Sequence, residues 1–245
     1  EKIKKILSIS NNEFKIKNLA MAIKAAKLCN INENLMHRSI KKLKDVNGRL
    51  ELIRCFPNDI KVFVDFAHTP DALSKTLESL KNDYGNNISL VFGCGGERDY
   101  KKRPIMAKIA NDNCKKVYVT DDNPRNENPK KIRTKLLEYI EKGKAFEIGS
   151  RTLAIKKAIQ NSDPQEIILV AGKGHEENQI YKNKIIKTSD KKIIKKIKFK
   201  NKIFTKKEKN FYINKLILKK ILNETKSINF HGVSIDTRSI KKNNL

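Results

Sequence analysis

The chain has 245 residues, of which 54 are Lys or Arg and 27 are Asp or Glu, so its formal net charge is +27. This length suits one large domain or two small ones, and 38% hydrophobic residues argue against a wholly disordered chain. No run of about 18 apolar residues occurs, which excludes a membrane-spanning helix. The widely spaced cysteines form no Cys-x-x-Cys pair and the first residues no signal-peptide core, so we expect a protein of the reducing cytoplasm.

The positive charge is uneven and consists almost entirely of lysine. Residues 181–245 carry 20 of the basic and 4 of the acidic residues, and only nine residues of the whole chain are Arg. Basic surfaces attract nucleic acid, but Arg is the usual residue for bidentate contacts to phosphates and bases. Codon usage in an AT-rich genome explains the lysine excess more simply. We therefore predict no nucleic-acid partner and keep a basic nucleic-acid-binding protein as the non-enzymatic alternative.

Predicted elements before residue 88 are two helices, a turn, a strand and a third helix. Apolar spacing predicts helices over 15–29 and 32–44, and Asn47-Gly48-Arg49 then forms a turn. The short apolar run 61–66 predicts a buried strand. Pro70 opens the next predicted helix, over 70–82.

Strands and helices continue to alternate as far as residue 171. The further predicted strands are 88–92, 116–120 and 166–171, and the further predicted helices are 103–112, 128–141 and 151–161. Such alternation is typical of right-handed βαβ units with parallel strands. The predicted fold class is therefore α/β, with a Rossmann-like, mostly parallel sheet flanked by helices.

The last part of the chain follows a different pattern. Residues 179–188 predict a hairpin with Asn183 near its turn, and the Lys-rich stretch 191–209 predicts a linker with a frayed helix. Apolar spacing predicts an amphipathic helix over 211–222. Residues 230–240 resemble the first strand of an incomplete α+β segment.

Four of the predicted strands are followed by unusual polar loops. The loops are Asp65–Asp71, Gly93–Asp99, Thr120–Arg125 and Gly172–Glu176. Ligands of open parallel sheets bind beyond the carboxyl ends of the strands, so four such loops at one edge indicate a binding site. Taken singly, each loop has a structural explanation: a glycine turn at Gly93, an ordinary turn at Asn123-Pro124, or a buried histidine at His68. The chain contains neither a Gly-x-x-x-x-Gly-Lys-Ser/Thr phosphate loop nor a Gly-x-Gly-x-x-Gly fingerprint, which excludes a complete P-loop ATPase.

Four stretches carry a family resemblance, namely DFAHTPDAL (65–73), VFGCGGERDYKKRPIM (91–106), VTDDNPR (119–125) and LVAGKGHEENQ (169–179). Together they resemble the Mur ligases, specifically the MurE branch of peptidoglycan precursor synthesis. The resemblance implies an ATP-dependent ligase that uses Mg²⁺ and joins meso-diaminopimelate to UDP-N-acetylmuramoyl-L-alanyl-D-glutamate. In the chemistry that this resemblance implies, the D-glutamyl carboxylate is phosphorylated and the incoming amine attacks the acyl phosphate. A membrane partner is not expected.

The resemblance also implies a domain organisation. Residues 1–48 match the end of a central ATPase domain and 49–198 a complete C-terminal domain. The UDP-substrate domain, the phosphate loop and the modified lysine that helps to hold magnesium have no counterpart here, so the chain alone is expected to be inactive and to supply no metal ligand. Residues 199–245 match a linker and the start of a MurF-like ligase, at Gly232–Arg238. A MurE–MurF fusion, a translated gene junction and an unrelated tail all remain open.

The resemblance assigns roles to matching residues. Arg49 corresponds to a residue that reaches the ATP phosphates and Asp65 to one that contacts the ribose, and His68 lies in the same loop. The residues implied to bind diaminopimelate are Arg98, Asn123, Pro124, Arg125, Gly172 and Glu176. The chemistry agrees, because Arg holds carboxylates bidentately and Glu accepts hydrogen bonds from an ammonium group. Lysine-adding relatives lack the Arg matching Arg125, and a lysine-adding enzyme is the alternative.

Overall fold

The computed structural model describes residues 13–40, 42 and 46–198. The helix predicted over 211–222 and the strand predicted over 230–240 lie outside these residues, as does the stretch that resembles a MurF-like ligase. The helices are α1 (Glu13–Leu28), α2 (Glu33–Ile40), α3 (Pro70–Tyr84), α4 (Lys102–Asn113), α5 (Pro129–Leu137), α6 (Arg151–Gln160) and α7 (Asp190–Lys196). The strands are β1 (Glu51–Phe56), β2 (Ile60–Asp65), β3 (Ile88–Phe92), β4 (Lys116–Val119), β5 (Ala145–Glu147), β6 (Ile167–Ala171), β7 (Asn178–Tyr181) and β8 (Lys184–Lys187).

Six of the strands form one sheet in the order β1-β2-β6-β3-β4-β5. Strands β2 to β6 pair in parallel, and only β1 runs antiparallel, against β2. The central strands β3 and β6 are buried along their whole length, as expected for parallel strands covered on both faces. This confirms the predicted α/β class with a mostly parallel sheet.

Helices cover both faces of the sheet. On one face, leucines of α3 such as Leu73 and Leu77 pack with Met106 of α4 and Leu136 of α5 against inward-facing strand residues. On the other face, the alanines and isoleucines of α6 pack together with Ile194 of α7. Alternate residues of each strand therefore enter different cores, and the rigid sheet between them fixes the loops at the strand ends.

Two strands and one packed helix differ from the sequence predictions. The edge strand β1 was not predicted, because Arg54 interrupts its apolar residues, and three-residue β5 is too short to show a period. The stretch 191–209 is predicted as a linker with a frayed helix, but its first residues belong to α7, Asp190–Lys196, whose Ile194 is fully buried. An interior ion pair fixes this helix: Arg151 donates to Asp190 from Nε at 2.9 Å and from Nη2 at 2.7 Å.

The predicted hairpin is present, as β7 paired antiparallel with β8. It lies apart from the large sheet but touches the loop after β4 through a bridge between Tyr181 and Arg125. At the other end of the chain, α1 is largely exposed, with Met21 and Leu28 open to solvent. Among the described helices, none is both long and apolar enough to cross a membrane.

Candidate functional site

The four polar loops lie next to one another at the carboxyl edge of the sheet. They follow β2, β6, β3 and β4, which are neighbours in that order, so the loops converge as the sequence predicted. Two helices begin beside them with capped ends. Thr69 Oγ1 accepts a hydrogen bond from Ala72 N in α3, and Asn128 Oδ1 accepts one from Lys130 N in α5. The caps fix where each loop ends.

Two predicted amino-acid ligands contact each other directly. Asn123, after β4, donates from Nδ2 to Glu176 Oε2 at 3.2 Å, although the two residues belong to different loops. Lys173, whose side chain is fully buried, donates to the same Oε2 at 3.0 Å and to Asn123 Oδ1 at 3.3 Å. The carboxylate of Glu176 remains partly exposed, so it faces both this interior network and solvent.

Arg125 is held by both its backbone and its side chain. Its φ of +53° is unusual for a residue with a side chain, and the hairpin stabilises that conformation. Arg125 N donates to Ile180 O at 3.0 Å, and Lys182 N donates to Arg125 O at 2.7 Å. The guanidinium Nη1 donates to Gly96 O at 2.7 Å and to Asn123 O at 3.3 Å. Arg125 therefore ties the loop after β3 to the loop after β4.

Arg98 lies close to Arg125 on the loop after β3. A Cβ placed on Gly95 would lie 3.0 Å from Arg125 Nη1 and 3.8 Å from Arg98 Cγ, so both side chains flank this glycine. Arg98 is exposed, and within the described part of the chain its guanidinium makes no hydrogen bond or ion pair. Two neighbouring cations, one of them uncommitted, suit the recognition of carboxylate groups.

Close backbone approaches fix the relative positions of the loops. A Cβ on Gly96 would lie 1.9 Å from the carbonyl oxygen of buried Pro124, and one on Gly172 would lie 2.9 Å from Asp122 Oδ2. Gly172 also has a φ of +109°, which side-chain-bearing residues rarely adopt. Pro124 and Gly172, both predicted site residues, therefore shape the site through their backbones.

Charged residues behind the loop after β3 hold it in place. The buried Arg103 donates from Nη2 to both carboxylate oxygens of Glu127 at 2.9 Å and to Gly95 O at 3.1 Å. Burial disfavours a charge on Glu127, but hydrogen bonds from Glu97 N and Arg103 hold its pKa below the usual value. Glu127 therefore stays ionised and anchors the loop that carries Arg98.

The predicted nucleotide residues form a second group beside the first. The Arg49 guanidinium lies 4.6 Å from the centre of the Phe66 ring, a cation–π geometry. Asp65 accepts from Leu50 N at 2.5 Å and from Ala67 N at 2.8 Å. Asp65 thus fixes the turn that presents Arg49, whose own side chain is exposed.

His68 lies at the outer side of this second group. Its Nδ1 is 2.8 Å from Phe66 O, and its carbonyl oxygen accepts from Lys102 Nζ at 2.7 Å. The Phe66 ring meets His68 edge-on at a centroid distance of 4.6 Å and stacks with His175 at 5.6 Å. The sequence left open that His68 is a buried histidine with only a structural role. The side chain is exposed, so that explanation does not hold.

The loop Gly172–Glu176 connects the two groups. A Cβ on Gly48 would lie 2.4 Å from His175 N, and one on Gly174 would lie 2.8 Å from Phe66 Cβ. The structure therefore brings all nine predicted residues to one edge of the sheet, in two adjoining groups. Sequence reasoning missed Lys173, whose only distinguishing feature is its place beside Gly172 in the loop that follows the buried strand β6. It also missed Phe66, whose ring contacts Arg49, His68 and His175.

Comparison with known proteins identifies the family. The sequence model of the family described as "Mur ligase, glutamate ligase domain" matches residues 48–174, which is more than half of the chain. The chain belongs to the Mur ligase family. The matched residues run from the turn bearing Arg49 into the loop Gly172–Glu176, so the match contains most of the site.

Relatives of this Mur ligase chain carry one recurring name. This chain is 45% identical over 160 residues to the "UDP-N-acetylmuramoyl-L-alanyl-D-glutamate--2,6-diaminopimelate ligase" of Rickettsia montanensis. The matched stretch covers 64% of this chain and 33% of the relative. This chain is also 48% identical over 162 residues to the ligase of the same name from Buchnera aphidicola subsp. Acyrthosiphon pisum. That match covers 66% of this chain and 32% of the relative. The chain therefore spans about a third of the length of the curated relatives it matches.

Solved structures agree with this assignment. A solved structure of a ligase with the same name is 34% identical to this chain and superposes with a TM-score of 0.58. The match covers 75% of this chain and 38% of the chain in that structure. A pseudomurein peptide ligase type C from Methanothermus fervidus, 19% identical with a TM-score of 0.57, shares the fold over 76% of this chain and 36% of its own.

Proposed function

We propose that this chain supplies the amino-acid-binding domain, and part of the ATP site, of a diaminopimelate-adding Mur ligase. The observation that carries the proposal is the joining of Asn123, Arg125 and Glu176 into one hydrogen-bonded set at the carboxyl edge of the sheet. The names of the relatives support the same substrate. Residues 49–198 would form this domain, and 1–48 would be the end of the preceding ATPase domain.

The charges of the site match those of meso-diaminopimelate, which has two carboxylates and two ammonium groups. Arg98 and Arg125 flank Gly95 and would bind a carboxylate, while the exposed part of Glu176 would accept from an ammonium group. Lysine lacks the distal carboxylate, so it would leave an arginine unpaired in the closed site. Unpaired polar groups of this kind discriminate strongly against an analogue.

The second group suits the nucleotide. The exposed guanidinium of Arg49 is available to ATP phosphates, and Phe66 beneath it keeps it oriented. Asp65 already accepts three hydrogen bonds, from Leu50 N, Ala67 N and Thr76 Oγ1, which leaves a carboxylate about one further lone-pair site for a ribose hydroxyl. His68 would complete this side of the site.

In the proposed reaction, ATP phosphorylates the D-glutamyl carboxylate of the UDP-linked substrate. The amine of diaminopimelate then forms the amide bond, phosphate leaves with the C–O bonding electrons, and the nitrogen loses a proton. This chain would hold the amine close to the acyl phosphate, and closure against the rest of the enzyme would exclude water from that intermediate. The setting would be the cytoplasm, where the nucleotide substrates are made.

Magnesium would be held largely outside this chain. Across residues 13–40, 42 and 46–198, no group of three or more His, Cys, Asp or Glu side chains is arranged to hold a metal ion. The phosphate loop and the other ligase domains would supply the metal ligands and the UDP-substrate contacts, and residues 199–245 would be a linker and the start of a MurF-like domain.

The proposal is tested with the intact ligase, comprising all three domains. Purified enzyme is incubated with ATP, Mg²⁺ and UDP-N-acetylmuramoyl-L-alanyl-D-glutamate, and with either meso-diaminopimelate or lysine. The expected result is ADP release and a tripeptide product with diaminopimelate, and little product with lysine. A preference for lysine would support the lysine-adding alternative. Tight, salt-sensitive DNA binding without amide formation would support the nucleic-acid alternative.

A further inference from the structure

Lys173 is a fully buried lysine within the candidate site that has no role in the function proposed above. It lies in the loop after β6, and its ammonium group donates to three acceptors. These are Asn123 Oδ1 at 3.3 Å, Glu176 Oε2 at 3.0 Å and the carbonyl oxygen of Asn178. An ammonium group has three hydrogens, so its donor capacity is used in full. A buried charge persists only where such partners compensate it.

The hydrogen bonds of Asn123 are nearly exhausted by the protein itself. Its Oδ1 accepts from Lys173 Nζ and from Ile180 N at 3.0 Å, which occupies both lone pairs. Its Nδ2 donates one hydrogen to Glu176 Oε2. One N–H therefore remains for a ligand, and the amide mainly supports its neighbours.

The two carboxylate oxygens of Glu176 also differ, because one is bonded to the protein and the other is left for a ligand. Oε2 accepts from both Lys173 and Asn123, whereas Oε1 receives no hydrogen bond from the described residues. The Glu176 side chain is 37% exposed, so it is not enclosed by the protein. Lys173 thus leaves Glu176 with a fixed orientation and one oxygen free for a cation.

We propose that Lys173 is the positioning residue of the diamino-acid site. It holds Glu176 and Asn123 together so that Oε1 of Glu176 meets the ammonium group of the incoming amino acid in a single geometry. This inference rests on the proposed function, because it takes the diamino acid as the ligand. Lys173 acts through its neighbours and does not itself contact the substrate. The side-chain hydrogen bonds of Lys173 go to Asn123, Glu176 and Asn178 and not to Arg49 or Asp65, so we expect its loss to weaken amino-acid binding more than nucleotide binding.

The test uses the intact ligase with Lys173→Met and Lys173→Gln. Met removes the charge and all donors, while Gln keeps two N–H donors. Lys184→Met is the matched control, because Lys184 is exposed on β8 and loses the same charge. The quantities measured are the KM for diaminopimelate and for ATP, kcat, the dissociation constant of diaminopimelate by calorimetry, and Tm.

The proposal expects the KM and the dissociation constant for diaminopimelate to rise about tenfold or more in Lys173→Met, and less in Lys173→Gln. The KM for ATP should change less than about twofold, and Lys184→Met should match the wild type. If Lys173→Met does not fold, Lys173→Gln carries the comparison. Wild-type diaminopimelate binding in a folded Lys173 variant overturns the inference, as does a parallel loss of ATP and diaminopimelate affinity. Failure of the wild type to bind diaminopimelate overturns the proposed function, and this inference with it.

Discussion

Asn123 and Glu176 are 53 positions apart in the chain, yet the amide of one donates to the carboxylate of the other at 3.2 Å. The contact exists because β4 and β6 lie on either side of β3, and their loops leave the same edge of the sheet. A site assembled from such distant loops depends on the framework that holds the loops together.

Substituting Gly96 should separate two loops of the site. A Cβ there would lie 1.9 Å from Pro124 O, a backbone atom that cannot rotate away. We expect Gly96→Ala to lower the free energy of unfolding by about 1–3 kcal/mol and to weaken diaminopimelate binding. Gly143→Ala is the control, because no atom outside its chain neighbours lies within 4 Å of a Cβ at that position. Equal urea midpoints for the two variants would contradict the argument.

Breaking the interior ion pair should cost far more stability than breaking a surface pair. Both Arg151 and Asp190 are fully buried, so Asp190→Asn leaves a guanidinium charge without its partner. We expect the free energy of unfolding to fall by about 3–5 kcal/mol. Asp71→Asn, which removes an exposed ion pair with Lys75, should change it by at most about 0.5 kcal/mol. Denaturant unfolding of both variants measures the difference, and similar losses would show that burial does not decide the cost.

The cysteines should differ in reactivity. Burial raises the pKa of both Cys94 and Cys114 to about 12, so almost no thiolate is present at pH 8. Cys29 and Cys55 are exposed. A thiol reagent at pH 8 should therefore modify the exposed pair quickly and the buried pair only after denaturation. Peptide mass mapping of the labelled sites checks this, and rapid native labelling of Cys94 would refute the burial.

The hairpin should influence the site through Tyr181. Its hydroxyl donates to Asp121 Oδ2 at 2.9 Å, and burial together with the Asp121 carboxylate raises the pKa of Tyr181. The hydroxyl therefore remains a donor at any physiological pH. We expect Tyr181→Phe to lower the free energy of unfolding by about 1 kcal/mol and to raise the KM for diaminopimelate. Tyr100→Phe is the control, because Tyr100 is exposed, and it should change neither the stability nor the KM. An unchanged KM for diaminopimelate in Tyr181→Phe would show that the hairpin does not influence the site.

The sheet and the convergence of its loops could be predicted because the central strands are apolar throughout. Strands such as Ile167–Ala171 need no tertiary information to be recognised, and the rule for parallel sheets then places their loops. Edge strand β1 was missed because Glu51 and Arg54 interrupt its apolar residues and only Phe56 in it is buried. Its pairing with β2 depends on contacts that a local pattern does not contain.

The supporting residues could not be predicted, for a different reason. Lys173 is one of many lysines in a chain rich in them, and nothing local distinguishes a buried ammonium group from an exposed one. Arg151 meets Asp190 only after α6 and α7 have packed on the same face of the sheet. Residues that touch a ligand leave motifs in sequence, whereas residues that hold them in place are identified by burial and partners.

The most direct test of the central claim compares diaminopimelate use by the intact wild-type ligase with that of Arg98→Ala and Arg125→Ala. Arg98 is exposed, and its guanidinium makes no hydrogen bond or ion pair within the described residues, so we expect its loss to leave Tm unchanged. Each variant should lower kcat/KM for diaminopimelate by about tenfold to hundredfold, because a charged hydrogen bond to a carboxylate is lost. The KM for ATP should stay near the wild-type value. Wild-type kcat/KM for diaminopimelate in both variants would contradict the assignment of this edge of the sheet as the diamino-acid site.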